Sequence, residues 1–251
     1  MIVSLGSIKG APGVTSWTVL LATAWPTAHA PERVVVEADP DGGALGARYG
    51  LGVEPGAVSL IAAARRATAG AVAIDHHGRA LGDGLWVVPG PDGREQARSV
   101  WASGAESLAG HVAADERLWF VDLGRLDLDG PTAPLVERSR LCVVLVSGRT
   151  EDLVRLPPAI ERLAGAGIEA GVLVSGPTEY KAADVVDFAG TPHVWHVARV
   201  HDLPVVAAGA TAGGRARRTW LWRSAIEVAA RMADAVAASA TASAVRMRGA
   251  S

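Results

Sequence analysis

Seven short apolar runs recur along the chain, and most are followed by residues spaced for a helix. The runs are Ile2–Gly6, Arg33–Ala38, Gly84–Val88, Leu118–Leu123, Leu141–Ser147, Ala170–Ser175 and Val194–Val197. Apolar character that is continuous rather than alternating implies burial on both faces, as in a parallel sheet covered by helices. Helical spacing predicts helices over Thr15–Trp25, Ala57–Thr68, Arg94–Trp101, Ala105–Ala113, Thr132–Ser139, Glu151–Ala166, Lys181–Phe188, Leu203–Gly209 and Arg217–Ala238. Parallel strands need crossovers of this kind to return the chain to the same edge. The expected fold is therefore α/β, a single doubly wound and mostly parallel sheet flanked by helices. No Pro/Gly/Ser-rich linker and no internal repeat divides it. Residues 1–240 read as one domain, 241–251 as a flexible C-terminal tail, and Ala71–Gly84 as an exposed connection.

Composition narrows the class. At 251 residues, 49% hydrophobic and 20% charged, the chain can bury a large core and does not resemble a disordered one. The 24 basic residues against 26 acidic ones exclude a strongly basic nucleic-acid binder. Cys142 is the only cysteine, which excludes an intrachain disulfide and a cysteine-rich zinc site and suits a reducing compartment. Ala28-His29-Ala30 imitates a signal-peptidase site, but Lys9 follows an apolar run and prolines at 12 and 26 bracket the next one. No uninterrupted apolar run approaches the ~20 residues that span a bilayer. A cytoplasmic protein is expected.

The sharpest local pattern is Ser7-Ile8-Lys9-Gly10-Ala11-Pro12-Gly13-Val14-Thr15-Ser16, placed between the first strand and the first helix. A glycine-containing loop here can turn backbone N–H groups inward, where the helix N-terminus adds positive potential. Thr15 and Ser16 are placed for a hydroxyl to reach Mg²⁺. Lys9 and Lys181 are the only lysines, so a lysine in this loop is informative.

The segment resembles the deviant Walker A loop of ParA/MinD ATPases, Lys-Gly-Gly-x-Gly-Lys-Thr-Thr/Ser, and with it the P-loop NTPase fold. Lys9, Gly10, Gly13, Thr15 and Ser16 match; Ala11 replaces a glycine, and Val14 replaces the lysine that grips the β- and γ-phosphates. The resemblance implies ATP and Mg²⁺ as ligands, held by residues 9–16, with Lys9 reaching a partner's nucleotide across a homodimer. Valine supplies no charge to a phosphoryl-transfer transition state, so hydrolysis is expected to be very slow or absent.

Other segments extend the resemblance. Glu37-Ala38-Asp39-Pro40-Asp41-Gly42-Gly43 resembles the switch I segment, with Asp39 as the residue that organises attacking water and Mg²⁺. Leu118–Asp122 has the form of a Walker B strand whose carboxylate assists Mg²⁺, although Leu123-Gly124-Arg125 follows in place of a small residue and proline. Thr15, Asp39 and Asp122 are thus the expected metal set. Leu173–Pro177 lacks the Asn-Arg pair that relatives carry for adenine. A divergent, actinobacterial-looking branch matches better than ParA or MinD themselves, through its Lys-Gly-(Ala/Ser)-Pro-Gly-Val-Thr loop and the Glu179–Val185 segment. Its members resemble TadZ-like positioning factors of Tad-type pilus and secretion machines, which implies a pilus or secretion ATPase as partner and recruitment to a membrane or pole through partners.

Arg215, Arg217, Arg218 and Arg223 interleave with Trp220 and Trp222, either as a patch for DNA backbone, acidic lipid or a partner protein, or as a helix start with solvated arginines. His193, His196 and His201 have strand-and-loop spacing unsuited to a helical ligand pair and read as structural. Two further functions stay open: an active nucleotide-switched ATPase that partitions DNA or cargo, and an NAD(P)-binding oxidoreductase in which Glu37 holds a ribose hydroxyl.

Overall fold

In chain order the elements are β1 (Ile2–Ser7), α1 (Val14–Ala24), β2 (Arg33–Glu37), α2 (Leu45–Tyr49), α3 (Ala57–Arg66), β3 (Arg79–Gly82), β4 (Leu85–Val88), α4 (Arg94–Ala113) and β5 (Leu118–Arg125). They continue with α5 (Ala133–Glu137), β6 (Ser139–Val146), α6 (Thr150–Leu153), α7 (Leu156–Gly165), β7 (Glu169–Ser175), α8 (Ala182–Ala189), β8 (His193–Val197), α9 (Leu203–Thr211) and α10 (Trp220–Gly249). The computed structural model describes residues 1–9, 13–67, 70 and 72–249, with side chains through Ser239.

Among these residues the strands form one sheet in the order β3-β4-β2-β5-β1-β6-β7-β8. Every neighbouring pair is parallel except β3 with β4. The central strands send alternate side chains to two separate cores. Val34, Val36, Trp119 and Val121 face the layer formed by α3, α4, α5 and α7. Val3, Leu5, Val35 and Phe120 face α1, α9 and α10 on the other side. Burial on both faces, at roughly 25 cal/mol per Å² of apolar surface, is why these strands read as unbroken apolar runs.

The observed elements depart from expectation where a residue acts against its local pattern. The Ala71–Gly84 segment contains β3, an antiparallel edge strand whose half-exposed residues carry no apolar run. Gly104 does not divide the helix expected to break near Trp101; α4 continues through it, and the glycine serves packing, since a side chain there would collide with Ile61 of α3. The helix expected over Glu151–Ala166 is divided into α6 and α7. Pro157 and Pro158 stand in the first turn of α7, where a missing N–H is tolerated. α2 carried no signal, being a single turn of five residues. α10 is helical past Ala238, into the segment expected as a tail. None of the described helices is long and apolar enough to cross a membrane.

Strand order also decides one alternative. In a dinucleotide-binding sheet β1 lies beside β2. Here β5 separates them, pairing with β1 on one side and β2 on the other. The oxidoreductase reading is therefore incompatible with the topology.

Candidate functional site

The insertion of β5 between β1 and β2 brings three chain segments to one place at the carboxyl edge of the sheet. Asp122 pairs in register with Leu5 on one side and Glu37 on the other. The Ala38 N–H donates to the Asp122 carbonyl at 2.7 Å. Directly above lies a cleft of about 240 Å³, lined by Ser7, Gly13–Ser16, Asp39, Asp41, Arg48, Gly124 and Arg125.

Gly13 starts α1 in a left-handed conformation, φ 82°. A Cβ there would come within 2.9 Å of Leu203 at the start of α9, so the position needs glycine for both reasons. Thr15 is half-buried beside the cleft and Ser16 is buried. Gly10, Ala11 and Pro12 lie outside the described residues. Val14 borders the cleft but is only 3% exposed, its side chain packed into the core with Trp17 and Leu20. Lys9 is exposed and stands apart, in a small recess with Asp152 and Arg155.

Three carboxylates meet beneath the cleft. Asp122 is fully buried; its Oδ1 accepts from the Gly124 N–H at 3.0 Å, and its Oδ2 has no partner among the described residues. Burial first, then the charge of Glu37 and more weakly that of Asp39, push Asp122 up to about 7, against the pull of the Thr15 hydroxyl and the Gly124 N–H. Asp39 is also raised, chiefly by burial. Its Oδ1 accepts from the Asp41 N–H at 2.8 Å. Asp41 is an exposed ion-pair residue, with Arg94 at 3.0 Å and Arg98 at 3.2 Å.

Glu37 differs from both. It is 1% exposed, and its carboxylate accepts from the N–H groups of Ala44, Leu45 and Gly90 at 2.6 to 3.0 Å. It serves as an internal clamp on the loop after β2 and has no face open to a ribose. Sequence reasoning also missed Arg48, whose Nη1 donates to Ser16 Oγ at 2.7 Å. No sequence signal marked Arg48, which lies in a helix of one turn.

Gly124 departs from the expected small residue and proline for a reason visible in the geometry. Its φ is 58°, and a Cβ there would overlap the Asp39 carboxylate. Gly124→Ala is expected to cost about 1–3 kcal/mol, through a left-handed alanine and a displaced Asp39. A shift in the denaturant midpoint reads this directly; a midpoint unchanged from the parent would show that Asp39 is free to move.

A divalent cation suits these donors. Hard cations take carboxylate, hydroxyl and water oxygens, and the orphaned Asp122 Oδ2 is a buried acceptor lacking its partner. Among the described residues no group of three His, Cys, Asp or Glu side chains is arranged to hold a metal alone. Mg²⁺ here would therefore draw its remaining ligands from hydroxyl, water and phosphate. His193 is occupied by Glu169 at 3.1 Å and stacks on Trp195, while His196 bonds the Gly176 carbonyl at 2.8 Å.

The arginine-tryptophan segment is partly structural. Arg217 pairs with Asp83 at 2.6 Å, donates to the Ala210 carbonyl and lies over the Trp222 ring, which is 8% exposed. Arg199 lies over Trp220.

The chain has the doubly wound, mostly parallel α/β fold of solved MinD and ParA proteins. Among solved structures it is similar to the cell division ATPase MinD of Pyrococcus furiosus, with a TM-score of 0.71 and 16% identity, covering 91% of this chain and 96% of that one. MinD of Pyrococcus horikoshii OT3, solved with Mg-ADP, aligns with a TM-score of 0.69 at 17% identity over 91% and 93%. A ParA family ATPase from Chlorobium tepidum TLS aligns with a TM-score of 0.71 at 15% identity over 91% and 96%. Neither a protein-family model nor a curated protein matches the sequence. At such identities the likeness establishes the fold alone.

Proposed function

We propose that this chain is a catalytically degenerate MinD/ParA-like positioning or scaffolding protein that binds ATP with Mg²⁺ weakly and hydrolyses it very slowly or not at all. The observation that carries the reading is the contrast at the cleft. The metal-side donors persist, with Thr15 beside an orphaned Asp122 oxygen and Asp39 on the wall, while Val14 turns an apolar side chain into the core. Bound Mg²⁺ would supply charge neutralisation at the phosphates. Thr15, Asp39 and Asp122 would hold it, residues 10–16 would surround the phosphates, and Lys9, exposed away from the cleft, would serve a second copy across a homodimer. Asp39 would orient water in whatever hydrolysis remains.

Tad-type pilus or secretion assembly is the machine we propose, with a pilus or secretion ATPase as the partner. The role is cytoplasmic, with recruitment to membrane or pole through partners. The TadZ-like, actinobacterial branch is proposed on the residues of the first loop. Contact with DNA would fall to Arg215, Arg218 and Arg223, since Arg217 is committed to Asp83 and Trp222.

Titration calorimetry with ATP and Mg²⁺, followed by phosphate release from the same sample, tests the proposal. Weak binding without turnover is the expected result. Turnover that a partner stimulates would favour the active partition ATPase instead, and absence of any binding would remove nucleotide from the function.

A further inference from the structure

Val14 leaves the loop without its cation, yet the wall of the same cleft holds another. Arg48 lines it beside Gly13–Ser16, and one guanidinium nitrogen donates to Ser16 Oγ at 2.7 Å. Its placement is built rather than incidental. The Glu37 carboxylate accepts from the Ala44 and Leu45 N–H groups at the start of α2, at 2.6 and 3.0 Å. Gly50, left-handed with φ 62°, closes the other end. α2 is thereby tied to β2, whose register with β5 also sets Asp122.

The donors of Arg48 are mostly unspent. A guanidinium carries five N–H groups in a planar fork matched to phosphate oxygens. Ser16 takes one, and no other hydrogen bond and no ion pair of Arg48 occurs among the described residues. By contrast, Arg94 and Arg98 in the same neighbourhood are paired with Asp41. Arg125, also on the cleft wall, is exposed. A half-buried arginine held against the loop hydroxyl, with its remaining donors uncommitted, is arranged to receive an anion there.

From this we infer that Arg48 replaces the lysine absent at Val14, gripping the outer phosphates of a nucleoside triphosphate from the α2 side of the cleft. The inference rests on the proposal that the cleft takes nucleotide. A bidentate fork from the side would hold ground-state phosphate without a charge placed along the loop, so it accounts for binding in the absence of efficient turnover.

The test is Mg-ATP titration of the full chain and of Arg48→Met, Arg48→Lys and Val14→Lys, with thermal unfolding of each to confirm folding. Arg48→Met is expected to weaken Mg-ATP binding about tenfold or more, the scale of one charge-assisted contact. Arg48→Lys should recover part of the loss, and Val14→Lys combined with Arg48→Met should recover more, which a merely structural arginine would not show. If Val14→Lys does not fold, the Arg48→Lys recovery decides. Parent and Arg48→Met proteins binding equally would overturn the inference while leaving the nucleotide proposal intact. A parent chain that binds nothing while Val14→Lys binds overturns it too, since Arg48 would then have replaced nothing. Absence of binding in every variant overturns the nucleotide reading and this inference together.

Discussion

Asp122→Asn is expected to stabilise the unliganded protein at pH 8 and to change its stability little below about pH 4. The Asp122 carboxyl is fully buried, with one oxygen unpartnered, and it is coupled to Glu37 across the β2–β5 pair. Of these two acids Glu37 has three backbone N–H donors and Asp122 has one, so Asp122 is the one that keeps its proton. Its value rises from 3.8 to about 7. For a carboxylate raised in the folded state, the native protein holds a proton that the unfolded chain releases. Stability from this group is therefore greatest below about pH 4 and falls as pH rises through 7.

Asparagine removes the titration while keeping an acceptor for the Gly124 N–H and adding a donor toward the neighbouring acids. The gain at pH 8 is expected at about 2–4 kcal/mol, or about 5–10 °C in the melting temperature of a chain this size. The decisive quantity is the difference between variant and parent melting temperatures across about pH 4 to 8, because other groups titrate alike in both. A difference that does not change with pH would show that Asp122 is ionised throughout. The same substitution should weaken Mg²⁺-dependent nucleotide binding, and the parent's binding should tighten as pH rises through 7 and Asp122 loses its proton. A gain in stability paired with a loss of binding marks a buried carboxylate kept for a ligand.

What the sequence disclosed follows from how local each cause is. The seven apolar runs were legible because Val34–Val36 or Leu141–Val146 are buried on both faces and need no further context. β3 was not, since an edge strand of Arg79–Gly82 buries little and its partner is fixed only by the turn through Asp83 and Gly84. The pattern at 7–16 stands out in the sequence alone, because its glycine, lysine and hydroxyl positions fall within ten residues of one another. Strand order was not, for nothing in Leu118–Asp122 says that it inserts between β1 and β2. That insertion is what assembles Asp122, Asp39 and Thr15 at one cleft. Arg48 was hidden for the same reason, its approach to Ser16 depending on a helix of one turn held by an acid eight residues from Leu45.

That acid carries the other large expectation. Glu37→Ala should cost about 2–4 kcal/mol, since it leaves the Ala44, Leu45 and Gly90 N–H groups without their acceptor, the last two in buried residues. Two costs of the native carboxylate partly offset this. Burial raises its pKa, and its charge raises that of Asp122. The three bonds outweigh both; Gly43 lies so close to the carboxylate that a side chain there would collide with it, and one at Gly90 would meet the Glu37 carbonyl. Glu37→Gln should lose about half as much, keeping one oxygen for the start of α2 but turning an NH₂ toward the Gly90 N–H or the Leu45 N–H. Chemical denaturation of the two variants against the parent measures both losses. A cost for alanine below about 1 kcal/mol would mean that water reaches the three N–H groups, and that the clamp is not what holds α2. With the clamp removed, Arg48 loses its fixed approach to Ser16, so Glu37→Ala should weaken Mg-ATP binding as Arg48→Met does. The two losses should not add in the double variant, because both act through the same guanidinium.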